Sequence, residues 1–133
     1  MDNIKTKNIK QTVALKGTPH EVYEMLINSK KHSAFTGSKA VVSQKEGGRI
    51  SAWDGYIDGK NIKLVTDKKI VQSWRAIDWP KGHYSTVTYA LTKTKGGTKL
   101  TFVQTSVPAD FCTSIKKGWV DYYWTPLKAH FPR

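Results

Sequence analysis

The feature that most restricts this chain is its punctuation. From Lys39 to Ser106 a turn signal recurs every 8 to 12 residues or so, and after Val107-Pro108 it stops. Gly47-Gly48, Asp54-Gly55, Asp67-Lys68, the stretch Asp78 to His83, and Gly96-Gly97 are the turns. That rhythm predicts a meander of antiparallel strands over Ala40–Ser43, Arg49–Trp53, Tyr56–Thr66, Lys69–Ile77, Tyr84–Thr94 and Thr98–Ser106. Asp54-Gly55 is the sharpest signal, because both residues reach the left-handed angles of a two-residue hairpin loop cheaply. Val87, Tyr89 and Leu91 alternate with Thr86 and Thr88, and Leu100 and Phe102 repeat the pattern, so the sheet has one wet and one covered face.

Further elements are predicted at both ends of the chain, with the cover in the last segment. Ile9, Gln11, Val13 and Leu15 alternate as a first strand that Gly17 breaks. Thr18-Pro19-His20-Glu21 then supplies a cap hydroxyl, a first-turn proline and a glutamate at the third helical position, a capping box. Val22, Met25 and Leu26 share the buried stripe of that helix, Asn28-Ser29 ends it, and a second short helical piece follows over Lys30–Phe35. After Val107-Pro108-Ala109-Asp110, read as a turn and cap, Ile115, Trp119, Tyr123, Leu127 and Phe131 recur every four residues on a long aromatic helix. Pro126 should kink or break its last turn. The order describes an α+β fold: an antiparallel sheet of six to seven strands wrapped round a long C-terminal helix, with two short helices after the first strand.

Length and charge bound the rest. At 133 residues the chain fits a single domain over 1–133 with a core of its own. Nothing near Met1 resembles a signal peptide and no stretch approaches a membrane span, so a cytoplasmic, non-membrane protein is expected. The 22 Lys+Arg against 10 Asp+Glu give +12, spread over both halves, which suits a partner with an acidic surface. Only Arg49, Arg75 and Arg133 are arginine, and that argues against specific nucleic-acid reading.

Candidate chemistry is sparse. His20, His32, His83 and His130 fall in different elements without metal-ligand spacing, so no metal is expected. Cys112, the one cysteine, reads as a small buried filler in the first turn of its helix. Asp54 and Asp58 suit turn chemistry better than an acid/base pair, and no glycine-rich phosphate loop is present. His83 with Asp78, five apart in one loop, is the best enzyme-like pair if the loop folds back. Trp53, Trp74, Tyr89, Phe102, Trp119 and Tyr123 either line an apolar cavity between sheet and helix or fill that space.

Ile70-Val71-Gln72-Ser73-Trp74-Arg75, followed by Asp78-Trp79-Pro80-Lys81-Gly82-His83-Tyr84-Ser85-Thr86-Val87-Thr88, resembles the C-terminal domain of the activators of the heat shock protein 90 ATPase. Gly47-Gly48-Arg49, Asp54-Gly55 with Gly59, Gly97-Thr98-Lys99-Leu100, Val107-Pro108, and Gly118-Trp119 with Tyr122-Tyr123 extend the resemblance over roughly residues 9 to 131. It implies the helix-grip fold of the START and birch-allergen-like superfamily, and a non-enzymatic, cofactor-free co-chaperone, here a monomer. Such a protein binds heat shock protein 90 at its N-terminal ATPase domains and favours the closed state. Full-length activators have a further N-terminal domain, so a lone domain should stimulate weakly. Trp74, Trp79 and Trp119 then look like core or lid residues, and Gly47, Gly55 and Gly118 like backbone necessities. The loop bearing Trp79, Lys81 and His83 is the expected exposed contact with the chaperone. The alternative is a carrier of an apolar small ligand in a helix-grip cavity.

Overall fold

The computed structural model of the protein describes residues 4–131. Seven antiparallel strands form one sheet: β1 (Thr6–Leu15), β2 (Val41–Val42), β3 (Arg49–Ala52), β4 (Ile57–Val65), β5 (Lys69–Ala76), β6 (Ser85–Thr94) and β7 (Gly97–Pro108). β2 to β7 follow one another as a meander, and β1 closes the order by pairing with β7, Val13 opposite Leu100. Alternation buries Ile70, Trp74, Val87, Tyr89, Leu100 and Phe102 on the inner face. The outward face carries threonines, short side chains and lysines.

Two helices bridge β1 and β2. α1 (Pro19–Ile27) opens on the expected capping box: Thr18 Oγ1 accepts from the Glu21 N–H at 3.1 Å while Glu21 Oε1 accepts from the Thr18 N–H at 2.8 Å. Asn28 stops this helix and starts the next, since its N–H donates to the Glu24 carbonyl while its Oδ1 accepts from Lys31 N–H and caps α2 (Ser29–Thr36). Gly37, at φ 78°, ends α2 in the left-handed conformation.

The C-terminal helix departs from expectation in two places. β7 continues to Pro108, and α3 (Ala109–Trp119) begins with no side-chain cap, so Asp110 acts only through the helix dipole. The Ala109 N–H donates instead to the Lys5 carbonyl. Pro126 does not break the helix; the chain takes a π turn over Val120–Trp124 and continues as α4 (Thr125–His130) with Pro126 in its first turn. A proline has no N–H for the preceding turn and crowds its carbonyl, and the wider π turn, with Thr125 N–H donating to the Val120 carbonyl, accommodates both. The extra residue brings Trp124 as well as Tyr123 onto the buried stripe. Gln11 of β1 spans the junction: its Nε2 donates to the Lys116 carbonyl at 3.1 Å and its Oε1 accepts from Trp124 Nε1 at 2.7 Å.

Candidate functional site

Trp119 is the hub between sheet and helix. Its ring lies 4.3 Å from Phe102, 4.5 Å from Tyr123 and 5.5 Å from Trp74, centre to centre. A buried indole needs a hydrogen-bond acceptor, and Gln104 provides it. Trp119 Nε1 donates to Gln104 Oε1 at 2.8 Å, Gln104 Nε2 to Ser85 Oγ at 2.9 Å, and the Ser85 hydroxyl to the Trp74 carbonyl at 2.8 Å. One directional chain thus ties the helix to β7, β6 and β5.

A second relay starts at Trp53. The β3–β4 turn is left-handed at Trp53, Asp54 and Gly55, with φ of 53°, 54° and 90°. Asp and Gly adopt this conformation readily, but a bulky tryptophan is strained by it and must be held from outside. Trp53 Nε1 donates to the Tyr123 hydroxyl at 3.2 Å, and the Asp54 N–H donates to the Lys39 carbonyl. His32 Nδ1–H donates to the Leu26 carbonyl at 3.1 Å, which leaves Nε2 to accept from the Tyr123 hydroxyl at 3.2 Å. Burial pushes the Tyr123 hydroxyl well above its ordinary pKa, and Trp53's hydrogen bond only partly offsets it, so Tyr123 stays protonated and the relay has a fixed direction. Burial likewise holds the His32 imidazole below its usual value against the opposing Leu26 carbonyl.

Between these relays the helix and the β3–β5 side of the sheet leave an apolar groove of about 450 Å³. Trp53, Trp74, Trp119 and Tyr123 line it, as does Ile57. Tyr89 and Phe102 do not; they lie buried under Trp119. Sequence reasoning missed Tyr56, Ile57, Ser114, Ile115, Gly118 and Tyr122, which also line the groove. Ser114, Gly118 and Tyr122 stand four apart, and that helical stripe of two small residues and a tyrosine was readable. Gly118 is no backbone necessity: it is helical, and an added Cβ would meet only Tyr122 Cδ2 at 3.7 Å. What it does is leave the groove wall bare.

The loop expected to be exposed is divided. Trp79 is only 3% exposed, its ring packed near Trp74 at 5.4 Å and Phe111 at 6.5 Å, and its indole N–H has no partner among the described residues. This corrects the exposed placement, since Arg75 holds the loop down by donating to the Trp79 and Pro80 carbonyls. Lys81 is exposed. His83 is half-buried and donates Nε2–H to the Ser106 carbonyl at 2.8 Å, whereas Asp78 accepts from the Tyr56 hydroxyl at 2.8 Å. The enzyme-like pair is therefore not formed. His83 instead holds Ser106, whose φ of 65° kinks β7 just before α3. Asp58 accepts from the Tyr84 hydroxyl and forms no pair with Asp54. Cys112 is buried in α3, and the described residues hold no cluster of three metal-ligating side chains.

A sheet closed on a C-terminal helix, with an aromatic groove between them, defines a helix-grip fold. The family model described as "Activator of Hsp90 ATPase homolog 1-like protein" matches residues 16–132, and the chain belongs to that family. It is 32% identical over 114 residues to the human protein named activator of 90 kDa heat shock protein ATPase homolog 1, covering 86% of this chain and 34% of the relative. A Dictyostelium discoideum activator of 90 kDa heat shock protein ATPase homolog is 36% identical over 115 residues, covering 86% and 30%. The chain thus spans about a third of the length of the curated relatives it matches. The crystal structure of an HSP90 activator from Plasmodium falciparum superposes with a TM-score of 0.84 at 24% identity over 96% of both chains, which establishes the shared fold.

Proposed function

We propose that this chain, acting as one domain over residues 1–133, is a cytoplasmic, monomeric co-chaperone. It binds heat shock protein 90 at the N-terminal ATPase domains and weakly stimulates the ATPase by favouring the closed state. Family membership over residues 16–132 carries the reading. In this role the chain is a regulator without cofactor or metal. A ligand shifts a conformational equilibrium only by its differential affinity, and one domain with a single anchor shifts it modestly. With +12 of net charge, encounter with an acidic chaperone surface is fast and weakens as salt rises. Calorimetric titration against the cognate chaperone, with ATPase rates alongside, tests it. Binding at low salt that fades on adding salt, with a small rate gain, is expected. No binding at low salt overturns it.

The groove of about 450 Å³ favours a second reading, a carrier of an apolar small ligand, because it falls in the size range of small-molecule sites and is walled by aromatic rings. A polarity-sensitive naphthalene dye should then bind saturably and quench the tryptophans. Dye that neither brightens nor quenches removes this reading.

A further inference from the structure

We propose that the outward face of the sheet is a docking surface for the acidic face of a folded partner protein. The strand pairings place Lys10, Val103, Thr88, Val71 and Lys63 in one row across β1, β7, β6, β5 and β4. The next rows run Thr12, Thr101, Ala90, Lys69 on one side and Thr105, Thr86, Ser73, Lys60, Arg49 on the other. The centre is short and uncharged, and the cations stand at its margins. Strand and residue spacings make the three rows roughly 19 Å across the strands and roughly 14 Å along them, and the lysine rim extends this towards a standard interface of about 800 Å² per partner.

Charge on this face is one-sided. Asp58 is the one carboxylate at its outward strand positions, and it accepts from Tyr84; the other acidic residues of the described chain lie in helices and turns. Among the described residues the ion pairs are His20–Asp67 and Lys117–Asp121, and neither uses a cation of this face. Arg49 stands directly opposite Lys60, both exposed, a like-charge pair that costs stability until an anion lies across it. An uncharged centre with a charged rim is the anatomy of a protein interface. Duplex or single-stranded nucleic acid fits less well: the rows carry no aromatic ring for stacking, and of the two arginines here Arg75 is engaged by the loop carbonyls. A membrane would want an apolar wedge, which the rows lack.

The proposal rests on the co-chaperone reading only for the partner's name. Its test compares two variants of equal net charge, Lys10→Glu/Lys63→Glu/Lys69→Glu on the face and Lys30→Glu/Lys116→Glu/Lys128→Glu on the helices. Each is checked for fold by circular dichroism and titrated at low salt with heat shock protein 90, with polyglutamate and with a DNA duplex. The face variant should lose at least about tenfold in affinity for chaperone and polyglutamate, and the helix variant less than about threefold. Equal losses in both variants, or none in the face variant, overturn the docking surface while leaving the co-chaperone reading in place if the wild-type chain binds the chaperone. Face-specific loss for polyglutamate, with no chaperone binding by any variant, keeps the surface and removes the co-chaperone reading. Face-dependent binding tighter to the duplex than to polyglutamate overturns the assignment to an acidic protein.

Discussion

Gly118 lies within a helix that would be stabler with alanine there, and the open groove beside it gives a larger side chain room without cost to the fold. Gly118→Ala should raise stability by about 0.5–1 kcal/mol in urea denaturation, because the new methyl meets only Tyr122 at ordinary distance. Gly118→Leu should fold, fill the groove and abolish dye binding; retained dye binding would place the bound dye elsewhere. His32 makes a sharper test of pH dependence. Its imidazole is held below its usual pKa, so the unfolded chain takes up a proton that the folded chain refuses. The stabilisation is full above the unfolded value of about 6.5 and declines as pH falls towards the folded value, by at most about 1.4 kcal/mol per pH unit. The melting temperature of the wild-type protein should therefore drop between about pH 6.5 and 5, and His32→Gln should flatten that slope. An unchanged slope would mean that other groups carry it.

The helices and strands were largely legible in local chemistry, and the exceptions have physical causes. Thr18 and Glu21, three apart before an apolar run, announced a capping box that formed with both bonds. Trp124 escaped because a four-residue stripe through Trp119, Tyr123 and Leu127 puts it a hundred degrees off the buried face, until the π turn adds a residue. Trp79 was misplaced because Trp-Pro-Lys-Gly-His reads as a solvent loop, and nothing local reveals that the Arg75 side chain will bind its carbonyls. Four of the ten groove residues were foreseeable as aromatic residues near one another, yet which rings form walls and which form core depended on strand register. The π junction itself is testable through Gln11. Gln11→Ala would leave the Lys116 carbonyl without that donor and Trp124 Nε1 without its acceptor, and should cost about 1–3 kcal/mol in denaturant melts. A loss below about 0.5 kcal/mol would show that water replaces both bonds.

For the molecule as a whole, the sheet is completed only by joining its first strand to its last. β1 pairs with β7 alone, from Thr6 opposite Pro108 to Leu15 opposite Thr98, and the helix that covers the inner face follows later still. Such non-local pairing carries a large closure entropy before any contact repays it, which slows folding. A fragment ending at Lys95, with β1 to β6 but neither β7 nor the C-terminal helix, should show no cooperative thermal transition by circular dichroism. A sigmoidal melt would mean that the meander stands without its closing partner. On the ribosome this topology has a temporal meaning. Leu15 emerges, and then waits until Thr98 has been made, a delay of roughly 4–17 seconds at elongation rates of about 5–20 residues per second. Through that interval Trp74 and Tyr89 lack the helix that will bury them, so each newborn copy presents aromatic surface to passing holdases.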